Sequence, residues 1–300
     1  MKKFLFQISI FLILGYFVGE GIIRAFQLTV DVPKLYQDDN DIIKLEPNQT
    51  GNNFYGGKWV VTKYGEYNYA PNSLESLITV IGDSYIANNV NGGKCHQAQY
   101  LNSLTKGYNF YPSARGGIGF LEFMELAKSL EHLEPVKQLV FVHHGDFVES
   151  ISEVKKSSQT IQLSLKESKK IYPTLSSNRL KETLYNFKFL YYLYRNYFVN
   201  TNNAPTNNRD DKDIEMDYQK FELLLNYIGL NYDIKNIVLI FSPDSDPELT
   251  ELVKEYNFET LTLKVDNYKS WQLENDSHWS CYGHREAAKQ VAKFINESSF

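Results

Sequence analysis

Five short apolar runs recur along this chain: Leu77–Ile81, Tyr108–Tyr111, Gln138–Val142, Asn236–Phe241 and Thr260–Val265. Leu77–Ile81 is continuous rather than alternating, which suits a strand buried on both faces. Helical spacing predicts helices over Gln97–Leu104, Phe120–Leu133, Asp246–Tyr256 and Tyr282–Asn296. Asp246 is an N-cap candidate, with Pro247 at the first helical position. In the last helix Ala287, Ala288, Val291, Ala292, Phe294 and Ile295 share one side. Strand–helix alternation over residues 77–297 predicts an α/β domain, a parallel sheet covered by helices on both faces.

Two stretches break that rhythm. Residues 27–75 hold Pro33, Pro47 and Pro71 and read as an extracytoplasmic lead-in, with a short hairpin around Lys58–Tyr69. Residues 150–232 hold no predicted strand and read as a helical insertion in the domain, which spans 76–297. Within it Asn178–Phe198 and Glu215–Tyr232 look helical, and the polar Asn200–Asp213 reads as a mobile loop. The aromatic run Phe187–Tyr197 reads most simply as core and interface packing. A membrane- or glycan-facing role is the alternative.

The N-terminus has a different pattern. Met1-Lys2-Lys3 precedes sixteen uncharged residues, Phe4–Gly19, and Glu20 and Arg24 follow. A helix rises about 1.5 Å per residue against a bilayer core of about 30 Å, so the run is slightly short. Tilt and snorkelling of Lys3 and Arg24 close the gap. Residues 1–26 therefore read as an uncleaved signal anchor, a transmembrane helix. The basic end stays cytoplasmic and the rest lies outside, periplasmic or at the cell surface. A cleaved signal peptide is the rival, but no small-x-small site follows the run clearly.

Charge excludes one class. The chain of 300 residues has 31 Lys+Arg against 36 Asp+Glu, a net −5, so no basic excess favours nucleic acid. The two cysteines, Cys95 and Cys281, cannot make a disulfide framework. No residue spacing points to a metal or a cofactor.

The candidate chemistry sits where parallel sheets put ligands, beyond the carboxyl ends of strands. Gly82-Asp83-Ser84 follows the first run, Arg115-Gly116-Gly117-Ile118-Gly119 the second, and His143-His144-Gly145-Asp146 the third. Asp276-Ser277-His278-Trp279 precedes Gly283-His284 and the last helix. A serine hydroxyl needs a base to take its proton, and a histidine serves best when a carboxylate orients it. Ser84, His278 and Asp276 supply those three roles. Asp83 reads as a turn-stabilising residue and His284 as a packing residue.

These blocks resemble the SGNH (GDSL-like) hydrolase and acyltransferase superfamily over about residues 76–297. The resemblance rests on Val80-Ile81-Gly82-Asp83-Ser84, Gly116-Gly117-Ile118-Gly119, Val140–Phe147 and Asp276–Trp279 with Gly283–Ala288. It implies a flavodoxin-like three-layer α/β/α fold with a five-stranded parallel sheet. It also implies Ser84 as nucleophile, His278 as base, and backbone N–H groups of Ser84 and Gly117 in an oxyanion hole. Two departures stand out. Gly145 holds the position where the family usually has an asparagine donor, so His143 or His144 substitutes, or the hole has only two donors, or the site is weak. The carboxylate lies two residues before His278 rather than three, where Asn275 stands. That Asp-x-His-Trp spacing is similar to the alginate-type polysaccharide O-acetyltransferase branch.

The resulting expectation is a serine esterase or O-acyltransferase acting on an acylated carbohydrate or small acyl ester of a cell-envelope or exported polysaccharide. The alternative is a catalytically weak or inactive glycan-binding protein on the same fold. In an oxidising compartment Cys95 and Cys281 each follow one block, so one disulfide near the site and two buried thiols are both open.

Overall fold

The computed structural model describes residues 2–52, 57–91, 94–175, 184–199, 216–274 and 276–298. The five predicted runs form one sheet. Its strands are β1 (Leu77–Gly82), β2 (Asn109–Ala114), β3 (Lys137–Val142), β4 (Ile237–Phe241) and β5 (Glu259–Thr262). All neighbours pair in parallel, in the order β5-β4-β3-β1-β2. That is the flavodoxin-like order, with the chain reversing direction across the sheet between β1 and β3.

Residue alternation along the central strands explains why the runs are continuous. Leu77, Ile81, Val140, Val142, Ile237, Leu239 and Phe241 enter one core. Their neighbours Ile78, Val80, Leu139, Phe141, Val238 and Ile240 enter another on the opposite face. Successive side chains point to opposite faces, so a strand covered on both sides must be apolar throughout. Fully burying each such side chain is worth about 1.5–3 kcal/mol, an upper figure because the unfolded chain is already partly compact.

Helices supply the covering layers. Following α1 (Lys2–Ala25) and the single turn α2 (Ser84–Ala87) come α3 (Gln97–Leu104), α4 (Phe120–Ser129) and α5 (His144–Glu149). Then follow α6 (Lys188–Leu193), α7 (Tyr218–Asn231), α8 (Pro247–Glu255) and α9 (Cys281–Glu297). Side chains of α4, α5, α7 and α8 fill the first core, and those of α3 and α9 the second. Asp246 caps α8 as expected, accepting the Leu249 N–H at 2.9 Å, with Pro247 in the first turn.

The two irregular stretches hold more structure than their sequences announce. In the lead-in, Leu35–Gln37 pairs with Ile43–Leu45, and Gln49–Asn52 with Lys58–Val61, both antiparallel. The expected Lys58–Tyr69 hairpin is reduced to a single bridge between Val61 and Tyr67. Leu45, Trp59, Val61 and Tyr67 make a small core of their own, while Ile42 joins the main one. In the middle stretch, Gln162–Ser164 and Lys169–Ile171 form a hairpin where no strand was predicted. Its buried Ile161 N–H is taken up by the Glu122 carboxylate at 2.8 Å, which also holds Arg115. Such strands are too short for a periodic signal and are held by tertiary partners. Helix α7 packs Phe221, Leu224, Leu225 and Ile228 into the core, so it covers the sheet instead of standing apart. The polar Asn200–Asp213 lies outside the described residues.

Candidate active site

Strand β1 delivers Ser84 to the carboxyl edge of the sheet. The chain turns there because Asp83 caps α2, its carboxylate accepting the Tyr85 N–H at 2.9 Å. Gly82 permits the turn, since a Cβ at that position would lie 2.5 Å from Ile86 Cγ1. Asp83 thus has the turn-stabilising place read from the sequence. Its other oxygen lies 3.3 Å from Ser84 Oγ.

His278 arrives from the other end of the chain. It stands on a short strand, Asp276–Trp279, paired antiparallel with Gln272–Leu273. Alternate residues of a strand share a face, so Asp276 and His278 project together. Asp276 Oδ1 accepts the His278 backbone N–H at 2.9 Å and faces the ring Nδ1 at 2.5 Å. That contact puts the ring proton on Nδ1 and leaves Nε2 to accept. Nε2 lies 2.8 Å from Ser84 Oγ, closer than the Asp83 oxygen. Serine, histidine and aspartate therefore form one continuous hydrogen-bonded line. The site resembles that of the SGNH superfamily.

No protein-family model matches the chain, and no curated protein matches it in sequence. Solved structures do. One is a protein assigned to the G-D-S-L lipolytic family from Desulfitobacterium hafniense DCB-2, 11% identical, covering 73% of this chain and 99% of that one, TM-score 0.40. A second is TesA, 9% identical, covering 73% and 97%, TM-score 0.39. A third is a member of the lipolytic G-D-S-L family from Veillonella parvula DSM 2008, 10% identical, covering 74% and 99%, TM-score 0.38. The SGNH-like reading of the site rests on the chain's own four blocks and their placement.

The glycine block meets the serine directly. A Cβ at Gly116 would stand 3.5 Å from Ser84 Cβ, so this backbone passes alongside the serine. Gly117 has φ +76°, a left-handed conformation that disfavours a side chain. Gly119 is closer still to its surroundings, with a Cβ meeting the Asp146 carbonyl at 2.8 Å.

The third block departs from the family pattern in an interpretable way. His143 caps α5, its Nδ1 accepting the Gly145 N–H at 3.2 Å. Its Nε2 lies 3.5 Å from Asp244 Oδ2. Burial works to raise the Asp244 carboxyl, but the hydrogen bond and charge of His143, with the Ser242 and backbone hydrogen bonds, together outweigh it and hold the pKa low. A Cβ at Gly145 would approach His143 Nδ1 to 3.3 Å, so the imidazole takes up the room beside Gly145. His143 lines a cleft of about 310 Å³, part of it open to solvent, with Phe141, Val142, Ile240, Ser242 and Trp279. The His144 ring lies against that of His143, tilted by 41°, with centroids 3.7 Å apart. Asp146 accepts the His143 N–H at 2.7 Å. Burial, reinforced by the charge of Asp83, pushes the Asp146 carboxyl well up, and burial likewise raises Asp83.

Several side chains secure this geometry, and Tyr85, Asn91 and Tyr268 among them gave no sequence signal. The Tyr85 hydroxyl donates to the Ser277 carbonyl at 3.0 Å, and its ring lies 5.0 Å from that of His278. Trp279 Nε1 donates to the Tyr268 hydroxyl at 3.0 Å. Cys95 and Cys281 form a disulfide, with Cα atoms 5.1 Å apart. Asn91 adds a hydrogen bond to the Trp279 carbonyl at 2.9 Å. Tyr85, the disulfide and Asn91 tie the serine block to the histidine block, and Tyr268 braces the histidine side. Gly283 lets α9 start hard against Trp271, whose carbonyl would lie 2.6 Å from a Cβ. His284 is buried against Trp279, in the packing place expected of it. Asn275 lies outside the described residues. Among the described residues no group of three or more potential metal ligands occurs.

Proposed function

We propose that this chain is a membrane-anchored serine esterase or O-acyltransferase that forms its acyl-enzyme on Ser84. The observation carrying this reading is the line from Asp276 through His278 to Ser84, at 2.5 and 2.8 Å. His278 Nε2 takes the Ser84 hydroxyl proton as Oγ attacks the ester carbonyl carbon. The tetrahedral oxyanion is met by backbone N–H groups at Ser84 and Gly117, each such donor worth about 10²–10³ in rate. His278 then gives its proton to the departing alcohol as the C–O bond breaks. Water or a sugar hydroxyl, deprotonated by His278, attacks the acyl-serine and restores Ser84. Asp276 balances the imidazolium during both halves.

The substrate class follows from location and chemistry. α1 is 24 residues long and apolar enough to cross a membrane. Its basic end faces the cytoplasm under the positive-inside rule. The domain then works outside, where O-acylated cell-envelope or exported polysaccharide is the available ester. A serine-directed phosphonate probe tests the mechanism: wild type labels and hydrolyses a generic acetyl ester, and Ser84→Ala does neither. Equal activity in the two proteins would sink it.

One observation favours a second reading. Both His143 nitrogens are engaged, with Gly145 and Asp244, so His143 does not take the place of the family's asparagine donor. A glycan-binding protein with a weak or silent triad would show no labelling yet retain polysaccharide binding. Ready labelling of Ser84 removes that reading.

A further inference from the structure

The aromatic run Phe187–Tyr197 has no part in the triad, and the structure places it against α1. Its short helix α6 continues into a π-helical turn, Tyr194–Val199. The start of α6 is capped from α1: the Glu20 carboxylate accepts the N–H groups of Lys188 at 3.2 Å and Phe189 at 2.8 Å. Arg24 holds Glu20 through Nε at 2.7 Å and donates to the Asn186 carbonyl at 2.8 Å. The Tyr16 ring meets Phe187 and Phe189 edge-on, at 6.2 and 6.1 Å. A Cβ at Gly19 would fall 2.8 Å from the Phe189 ring, so glycine is what admits that ring. Glu20, the one acidic residue in the apolar helix, is therefore a helix cap with a guanidinium beside it.

The level of this contact is informative. α6 touches α1 at Tyr16, Gly19, Glu20 and Arg24, where the uncharged run Phe4–Gly19 ends. At about 1.5 Å per residue that end of the run is where hydrocarbon gives way to headgroups. Aromatic residues concentrate at that boundary because their apolar rings and polar tips suit it. α6 and the turn after it carry a fitting stripe. Phe187, Leu190, Tyr194 and Tyr197 are 43%, 42%, 46% and 65% exposed. Phe187, Leu190 and Tyr194 recur at the three- and four-residue spacing of one helical face, and Tyr197 follows in the π-helical turn. α1 itself carries exposed Phe4, Phe11 and Phe17 along the run that the bilayer would cover.

We propose that Phe187, Leu190, Tyr194 and Tyr197 lie in the headgroup–acyl boundary of the bilayer that α1 crosses. The occupant of this face is lipid. The domain is then held at the membrane surface by two elements, with Glu20 and Arg24 locking one to the other. Lys188 extends the lock to the lead-in through an ion pair with Asp31 at 2.5 Å. The proposal rests on the reading of α1 as a membrane span and is independent of the triad.

Tryptophan fluorescence tests it on the full chain in phosphatidylcholine vesicles. The native Trp59, Trp271 and Trp279 are buried, so an added indole reports its own surroundings. In Tyr197→Trp, lipid brominated near the headgroup end should lower the added emission by roughly half, more than lipid brominated near the chain terminus. Aqueous iodide should quench it weakly. Phe11→Trp in α1 is the control, quenched by lipid brominated near the chain terminus. Quenching of Phe11→Trp but not Tyr197→Trp by lipid, with strong iodide quenching of the latter, overturns this proposal alone. Protection of Tyr197→Trp from both quenchers points to a second copy of the chain and also overturns it. Failure of lipid to quench Phe11→Trp removes the span and the proposal with it.

Discussion

The Ser84 hydroxyl lies 2.8 Å from His278 Nε2 although 194 positions separate the two residues in the chain. No local propensity produces such a contact. β1 brings one residue to the sheet edge, the Asp276–Trp279 strand brings the other, and the disulfide and Tyr85 hold them there. Ser84→Ala and His278→Ala should each lower kcat for acetyl-ester hydrolysis by about 10³ or more, and the double variant should lose little further. Steady-state kinetics of the four proteins check this. Multiplying effects would show that the two residues do not act as a unit.

Asp276 accepts from both the backbone and the ring of the same histidine, so it fixes the tautomer and the ring plane together. Asp276→Asn presents an amide that can donate to Nδ1 and turn the tautomer. Its side chain is 40% exposed. Partial solvation makes its loss milder than that of a fully buried triad carboxylate, on the order of 10²–10³ in kcat with KM nearly unchanged. A rise in KM with kcat intact would assign Asp276 to substrate binding instead.

The Cys95–Cys281 bond closes a loop of 186 residues between the two blocks. Reduction with dithiothreitol should cost about 2–5 kcal/mol of stability. It should also lower kcat more than it raises KM, because α9 and the His278 strand lose their tie to the serine block. Urea midpoints and ester kinetics of reduced protein, and of Cys95→Ala with Cys281→Ala, measure both. Unchanged kcat after verified reduction would limit the bond to stability.

Acid sensitivity should come from two buried histidines beside that bond. Burial lowers His96 to about 4 and His284 to about 3, against an ordinary value of 6.5. Between those values the unfolded chain binds more protons than the folded one, so stability falls as pH drops below about 6.5. Near pH 4.5 each histidine accounts for a loss of about 2–3 kcal/mol. Asp83 and Asp146, raised by burial, act with the opposite sign and gain on protonation as pH falls. The discriminating measurement is therefore the difference in Tm against pH between wild type and His284→Gln. The variant should show a flatter acid limb, and parallel curves would contradict the assignment.

Much of the fold was legible before any coordinate. The central strands β1, β3 and β4 stand within a few residues of their apolar runs, because a strand covered on both faces leaves a continuous apolar signature. Gln97–Leu104 matches its predicted helix at both ends, and Asp246 caps as its position before Pro247 implied. The site was legible for a different reason. Its glycine, serine and histidine blocks each sit at an element boundary where backbone geometry restricts the residue type. Illegible were Tyr85 and Asn91, whose importance lies wholly in partners far along the chain. His143 belongs with them, since only the packed cleft distinguishes it from His144 beside it.

The sequence by itself determined the strand and helix segments, the parallel α/β class and the three residues that form the hydrogen-bonded line. Those properties follow from local periodicity and from residue types that particular turns demand. Only the tertiary structure decided which cysteine and tyrosine contacts secure that line, where the third block's imidazole goes, and why a glutamate interrupts the N-terminal apolar helix. Each of these is a contact between segments remote in sequence, created when sheet order and packing bring them together. In Glu20 the two levels meet: one charge that the hydropathy pattern treats as an interruption is, in three dimensions, the cap of a helix 168 residues away.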